Sequence, residues 1–534
     1  MPDDLHGSWT RAVPVAELQA TGRIVLRRAG KQIALFQTDA GVFACNNRCP
    51  HEGFPLREGT LGAGTESCVL TCNWHNWKFD LRDGANLYGG DRLRVYPVRI
   101  ADGAVWLDLS DPPAESRRAE IMANLHDAFA DEGYDRMARE LARLRLAGGR
   151  LPDALAAAIG WSHDRLEFGW THAHAGAADW LALHDEHRDD PEAQLICVLE
   201  PIAHLAHDVL REPRYPYPVE LSSWDEDGFV AAIDREDEAT AAAMLRGALA
   251  AGQGFPELER AFSRAALLHY ADFGHSLIYV SKAGRLIERL GESVAEPLLL
   301  ALARSLAKAS REDLIPEFRG YGAALAGWNV AAAASTPPDA DRYRGLNVER
   351  ALALTVEHAA ADPLSLYDAL LGANADNMLR FDSDHQLRVD LAVQDNVGWL
   401  DFTHGLTFAN AVRRQCTRFP ELWPQGLLQL ACFTGRNAPY ARIEHDGRWR
   451  VGDPEAFLAA AIERLLDHGQ PEPIVAVHLL KTTLAVREEI GARPSARTAA
   501  ALLAALNRFL NSPLRRKHVR RTARQAAAFV ALDG

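Results

Sequence analysis

The apolar positions of this chain change their period once. Up to Leu109 they come in short runs rich in Val, Ile, Leu and Phe: Arg23–Arg28, Gln32–Thr38, Val42–Cys45, Cys68–Thr71, Leu93–Ile100 and Val105–Leu109. Ala40-Gly41, Asp83-Gly84, Gly89-Gly90 and Asp102-Gly103 separate them. Runs of this length bounded by Gly, Asp and Asn read as strands joined by reversals. Ser110-Asp111-Pro112-Pro113 ends the pattern, because proline cannot donate to a ladder. Beyond it, apolar residues recur three and four apart in Ala/Leu/Arg-rich stretches such as Ala119–Leu146, Glu192–Leu210, Val294–Ala309 and Thr498–Leu510. That is the period of helices with one apolar face. The expected architecture is multidomain, a small antiparallel all-β domain over residues 8–110 followed by a large all-α domain over residues 115–531. Irregular stretches at Arg211–Asp237, Thr336–Gly345 and Asn437–Asp453 divide the helical half into blocks.

The helical half also repeats. His174 to His207, Phe273 onward with Pro297 opening a second helix, Phe402 onward with Pro424 opening a second helix, and His478 to Asn511 follow one scheme. Each is a helical hairpin of about 35 residues headed by a histidine, and such hairpins bury their apolar faces by stacking. Chance self-alignment of an Ala/Leu-rich chain is the competing explanation.

Composition narrows the function classes. At roughly 150 residues per domain, 534 residues allow two to four domains. The 58 Lys+Arg against 72 Asp+Glu give a net charge of −14, which argues against a nucleic-acid partner, since phosphate neutralisation needs a basic face. No apolar run reaches the ~18 residues of a bilayer span, and Met-Pro-Asp-Asp-Leu-His lacks the regions of a signal peptide. Seven cysteines in so long a chain do not form a disulfide scaffold. A soluble, cytoplasmic protein with no membrane partner is expected.

The β half holds the strongest motif. Cys49-Pro50-His51-Glu52-Gly53 is followed by Cys72-Asn73-Trp74-His75-Asn76-Trp77-Lys78-Phe79. This resembles the Rieske [2Fe-2S] family of the oxygenase type, whose signature is C-x-H and C-x-x-H on two loops of a small β domain. The resemblance covers residues 8–110 and implies that Cys49, His51, Cys72 and His75 hold a [2Fe-2S] cluster. Two thiolates on one iron and two imidazoles on the other raise the potential above that of an all-cysteine cluster. A Cys2His2 zinc site uses the same residue types; Pro50, Trp74, Trp77, Phe79 and the Asp83-Gly84 turn favour the cluster. Asn73 and Asn76 depart from the family's usual Pro and Gly. Asn tolerates a left-handed backbone next best after Gly, so the second loop is expected to form. Cys45 and Cys68 are expected to be buried free thiols.

A Rieske cluster carries one electron, so the chemistry lies downstream. Ring-hydroxylating oxygenases follow it with an iron site of pattern D-x-x-H-x-x-x-x-H. Asp272/His275, Asp382/His385 and Asp401/His404 each have the D-x-x-H part, and none has the second His. The helical half nevertheless gathers iron-binding groups, among them His172, His174, Glu200/His204, Asp272, His275, Asp401, His404 and His478. Asp272/His275 and Asp401/His404 place two ligands on one helix face, and a carboxylate-x-x-His pair on each of two helices is the di-iron carboxylate arrangement. His172, His174, Asp272, His275, Asp401, His404 and His478 are the candidates for a second metal or catalytic site. His163, His385, His445, His468 and His518 read as capping, surface or core residues, and His184, Glu186 and His187 fit a solvated helix end as well as a site. His275-Ser-Leu-Ile-Tyr, His404-Gly-Leu-Thr-Phe-Ala-Asn-Ala and His478-Leu-Leu-Lys-Thr-Thr-Leu-Ala are similar to the questin oxidase-like family. That likeness implies an oxidative site and an aromatic or polyketide-like substrate, without fixing the metal.

No G-x-G-x-x-G follows a strand and no P-loop occurs, so electrons are expected from an external reductase or ferredoxin. The expected function is a Rieske-dependent oxygenase. Single electrons would pass to a non-haem iron site, mono- or dinuclear, where a small organic substrate is oxidised with O2. The rival expectation is an electron carrier or redox sensor fused to a helical docking scaffold, with surface-facing histidines. A third is a metal-free oxidase using the histidines as acid and base.

Overall fold

The computed structural model describes residues 9–270, 272–388, 397–444, 447–514 and 519–531. His445 and His518 lie outside the described residues. The chain forms two compact units, Met1–Arg150 and Leu151–Gly534.

The first unit carries all the described strands. They are β1 (Trp9–Pro14), β2 (Arg23–Arg28), β3 (Lys31–Thr38), β4 (Gly41–Asn46), β5 (Thr60–Leu61), β6 (Val69–Thr71), β7 (Lys78–Asp80), β8 (Val95–Tyr96), β9 (Val98–Ala101) and β10 (Ala104–Asp108). All pairings are antiparallel, in three small sheets ordered β1-β10-β9, β2-β3-β4-β8 and β5-β6-β7. The run Leu93–Ile100 reads as one strand but is two, because Pro97 has no N–H to donate and the ladder restarts after it. β7 and β1 carry too little hydrophobic alternation to stand out in the sequence.

One apolar layer of this unit, with Leu18, Ile33, Leu35, Val105 and Leu107, lies under the larger sheets. A second layer, with Phe36, Leu56, Leu70, Phe79 and Leu93, contains both Cys49 and Cys72, so the cysteine loops are anchored in the core rather than hung from it. Helix α1 (Val15–Thr21) follows β1, and α2 (Ala114–Ala130) and α3 (Tyr134–Leu146) complete the unit beyond the last strand. Asp91, fully buried, ties α3 to the strands: Arg139 Nε lies 2.6 Å and Arg143 Nη2 3.2 Å from its Oδ2.

Every secondary-structure element among the described residues of the second unit is a helix. Its helices are α4 (Leu151–Ser162), α5 (His172–Glu186), α6 (Pro191–Asp208), α7 (Glu226–Asp234), α8 (Glu238–Ala250), α9 (Phe255–Ala266), α10 (His275–Leu290), α11 (Ala295–Ala307) and α12 (Gly320–Ala326). They continue as α13 (Val348–Glu357), α14 (Pro363–Leu379), α15 (Asp384–Leu387), α16 (Trp399–Arg418), α17 (Trp423–Asn437), α18 (Pro454–Leu465), α19 (Pro473–Gly491), α20 (Ala496–Leu510) and α21 (Val519–Val530).

The repeating scheme corresponds to the pairs α5/α6, α10/α11, α16/α17 and α19/α20, each packed together. The first helix of each pair joins a closed ring, α5 on α10, α10 on α16, α16 on α19 and α19 on α5. These four run the same way. His172 meets His275, and seven residues further along both chains Asp179 meets Lys282. Ten residues beyond His275 and His478, Arg285 meets Glu488. Each ring helix is buried almost all round, which is why His275, His404 and Lys481 sit among Leu and Ala in the interior. Among the described residues no helix is long and apolar enough to cross a membrane.

Candidate metal centres

Two loops of the β unit are built to one plan. In the first, the Cys49 N–H donates to Phe54 O at 2.9 Å and Gly53 N–H to Cys49 O at 2.8 Å. In the second, between β6 and β7, Cys72 N–H donates to Trp77 O at 2.7 Å and Asn76 N–H to Cys72 O at 2.9 Å. The fifth residue of each loop is left-handed, Gly53 at φ 78° and Asn76 at φ 65°. Asn76 thus adopts the conformation that glycine would supply. Asn73 pins the second loop sideways: its Nδ2 donates to Glu58 O at 2.8 Å and its Oδ1 accepts from Thr60 Oγ1 at 2.9 Å.

The loops bring Cys49, His51, Cys72 and His75 together. The Cys49 thiol lies against that of Cys72, and burial, with Cys72 adding to it, pushes it up to about 11. A bound cation reverses that balance by holding the thiolate. The His51 and His75 rings are 4.7 Å apart, and His51 stacks on Trp77 at 4.3 Å. His51 Nδ1 is buried with no hydrogen-bond partner. Two adjacent thiols and an orphaned imidazole nitrogen fit an iron–sulfur group, which would satisfy all of them. Glu52 lies 3.8 Å from each imidazole and Trp74, largely exposed, covers His75. Cys45 and Cys68 are buried free thiols.

In the helical unit, His172, His275, His404 and His478, one from each ring helix, converge. His275 Nε2 is 3.0 Å from His172 Nε2, and His478 Nε2 is 3.2 Å from His404 Nε2. The His275 and His404 ring centroids are 4.4 Å apart and those of His172 and His478 4.8 Å. One ring nitrogen from each of His172, His404 and His478 lies within 4.8 Å of the others. His275 Nδ1 donates to the Asp272 carbonyl and His478 Nδ1 to Ile474 O at 2.6 Å, which leaves their Nε2 lone pairs bare. Burial first, and the nearby Lys481 next, hold all four far below the ordinary histidine range, His275 at about 3. Neutral imidazoles facing one another fit a divalent metal: His172, His404 and His478 have mutually close ring nitrogens, and His275 adjoins them through His172.

The remaining candidates lie elsewhere. His174 is the third residue of α5 and caps it: Thr171 N–H donates to its Nδ1 at 3.3 Å, and the ring stacks on Trp170. Asp401 caps α16 by accepting from Gly398 N–H at 2.8 Å, and its other oxygen binds Arg436 Nη2 at 3.0 Å. Asp272 reaches the cluster only through His275, with Oδ2 3.5 Å from its Nδ1. The two D-x-x-H pairs therefore bring their histidines together and not their carboxylates. Glu200 pairs with His468 at 3.0 Å and His204 with Asp208 at 3.6 Å.

Sequence reasoning missed Lys481, one turn past His478 and fully buried, which burial and then Lys282 push down to about 7. It also missed the buried Lys282–Asp179 pair at 2.5 Å. The available signal was a charge inside an otherwise apolar helix, as in Val475–Val486.

Comparison with known proteins places the β unit. Residues 8–93 match the Rieske [2Fe-2S] domain model. The 4beta-methylsterol monooxygenase of Methylococcus capsulatus is 37% identical over 95 residues, 16% of this chain and 25% of that protein. The 3-phenylpropionate/cinnamic acid dioxygenase ferredoxin subunit of Photorhabdus laumondii is 35% identical over 81 residues, 15% of this chain and 74% of that subunit. The solved ferredoxin of carbazole 1,9a-dioxygenase from Nocardioides aromaticivorans aligns at 23% identity and TM-score 0.18, covering 20% of this chain and 100% of that one. The chain thus spans a quarter of the length of the sterol monooxygenase, and about a fifth of Oxidoreductase NdmD of Pseudomonas putida.

Proposed function

Because the chain belongs to the Rieske [2Fe-2S] domain family, we propose that Cys49, His51, Cys72 and His75 hold its cluster and that the helical unit is an oxidase or oxygenase supplied with electrons by it. The cluster, when bound, supplies one-electron transfer. Trp77 stacks on His51 and keeps water from one face of it, while Asn73 and Asn76 fix the second loop. An external reductase or ferredoxin delivers the electrons. The ferredoxin subunits among the relatives support a β unit of this kind as an electron carrier.

The convergence of His172, His275, His404 and His478 carries the second half of the proposal. A non-haem iron held by these imidazoles would supply O2 chemistry toward an organic substrate. Asp272 and Ile474 orient two of the rings through their carbonyls, and Lys481 sets the local charge. The donor set is four imidazoles rather than two carboxylate–histidine pairs, which favours a mononuclear over a di-iron carboxylate centre. A docking scaffold with surface-facing histidines is disfavoured by the burial of these rings.

The test is O2 consumption driven by a chemical reductant in His275→Ala and His404→Ala. The proposal expects consumption to fall by about 100-fold or more with the Rieske absorption unchanged. Full consumption in both variants removes the helical site.

A further inference from the structure

The turn that delivers His275 is left-handed over three residues: Asp272 at φ 52°, Phe273 at φ 51° and Gly274 at φ 78°. Glycine accepts this freely, whereas Asp and Phe occupy it against steric cost. A side chain at Gly274 would meet the Phe408 ring at 2.6 Å, so the turn is also pressed against α16. Its product is specific: it aims the Asp272 carbonyl at His275 Nδ1 and so leaves the Nε2 lone pair facing the other rings.

Two side chains hold the turn. Glu312, fully buried in a short 3-10 turn after α11, accepts the Phe273 N–H at 2.5 Å through Oε1, while its Oε2 has no hydrogen-bond partner. A buried carboxyl with half its acceptors idle is a costly group to keep for one peptide N–H. Arg436 of α17 lies 4.8 Å from the Phe273 ring centroid and binds Asp401 at 3.0 Å. Asp401 is three residues ahead of His404 and caps its helix. One arginine therefore touches both Asp-Phe-x-His segments, at the Phe of the first and the Asp of the second.

We propose that Glu312 and Arg436 are positioning residues of the four-histidine centre. Glu312 holds the Asp272–Gly274 turn in its left-handed form, and Arg436 locks that turn to the head of α16, so that His275 and His404 keep their spacing. The proposal rests on the reading of the four histidines as a metal site, and neither residue touches the metal position.

The test uses the full chain with its cluster oxidised and therefore EPR-silent, stripped of other metal and titrated with Co(II). Wild type is expected to bind one Co(II) per chain with a high-spin EPR signal. Glu312→Leu and Arg436→Met are expected to bind about tenfold or more weakly, with a changed signal. Glu312→Gln, whose amide oxygen still accepts the Phe273 N–H, is expected to keep the wild-type signal. Wild-type affinity and signal in both Glu312→Leu and Arg436→Met overturn the proposal, as does loss in Glu312→Gln equal to that in Glu312→Leu. If Glu312→Leu does not fold, Arg436→Met and Glu312→Gln carry the same decision. Absence of Co(II) binding in wild type overturns instead the metal reading on which the proposal stands.

Discussion

His275 Nε2 lies 3.0 Å from His172 Nε2, although the residues are 103 positions apart and belong to different helices. Two imidazole lone pairs at that distance repel unless a proton or a cation lies between them. His275 already gives its Nδ1 hydrogen to the Asp272 carbonyl. Substituting either ring by Ala is therefore expected to strip metal from the helical unit while leaving the cluster's two irons. Iron analysis beside the visible spectrum checks this, and unchanged iron content in both variants contradicts it.

Asp401 separates a ligand from a cap. It accepts from Gly398 N–H and binds Arg436, so Asp401→Asn is expected to retain the helical metal. Asp401→Ala is expected to cost about 1 kcal/mol of stability through the lost cap. Metal content and thermal unfolding of the two variants decide it. Loss of metal in the Asn variant would restore Asp401 as a ligand.

Asn76 makes the opposite kind of prediction. At φ 65° it is left-handed without being glycine. Asn76→Gly is expected to leave the cluster in place, and Asn76→Val to destabilise the loop by about 1–2 kcal/mol. The amplitude of the Rieske EPR signal per chain, with the melting temperature, is the measurement.

Glu312 gives the pH dependence. Burial first, opposed by the Phe273 N–H, pushes its carboxyl up to about 9 from an ordinary 4.5. Between those values the unfolded chain has lost the proton and the folded chain keeps it, so the folded state binds more protons. This contribution to stability is full below about 4.5 and falls as pH rises toward 9. Wild type is expected to lose melting temperature between pH 6 and pH 9 more steeply than Glu312→Gln. Parallel curves would contradict the assignment.

Strands β2, β3, β4, β6 and β10, the hairpins and the Cys/His motif were legible because each is local: Cys49/His51 and Cys72/His75 each fit on one loop, and the period change at Pro112 is visible directly. The four-histidine convergence was only half legible. All four histidines were among the candidates, but nothing local told His172, which reaches the centre, from His174, which does not, and their spacing in the ring depends on contacts between helices far apart in sequence. Asp401 and His174 misled for one physical reason. A carboxylate or imidazole in the third helical position caps the N-terminus, and the spacing that caps a helix also resembles a metal-binding pair. Lys481 and Glu312 were invisible because an isolated charge in an apolar run carries no motif.

The most direct measurement is iron per chain in anaerobically purified full-length protein, wild type beside a His172→Ala/His404→Ala double variant, with EPR of the reduced cluster in both. About three irons are expected in wild type, about two in the variant, and the same Rieske signal in each. Two irons in both, with Rieske signals intact, would contradict a metal centre in the helical unit.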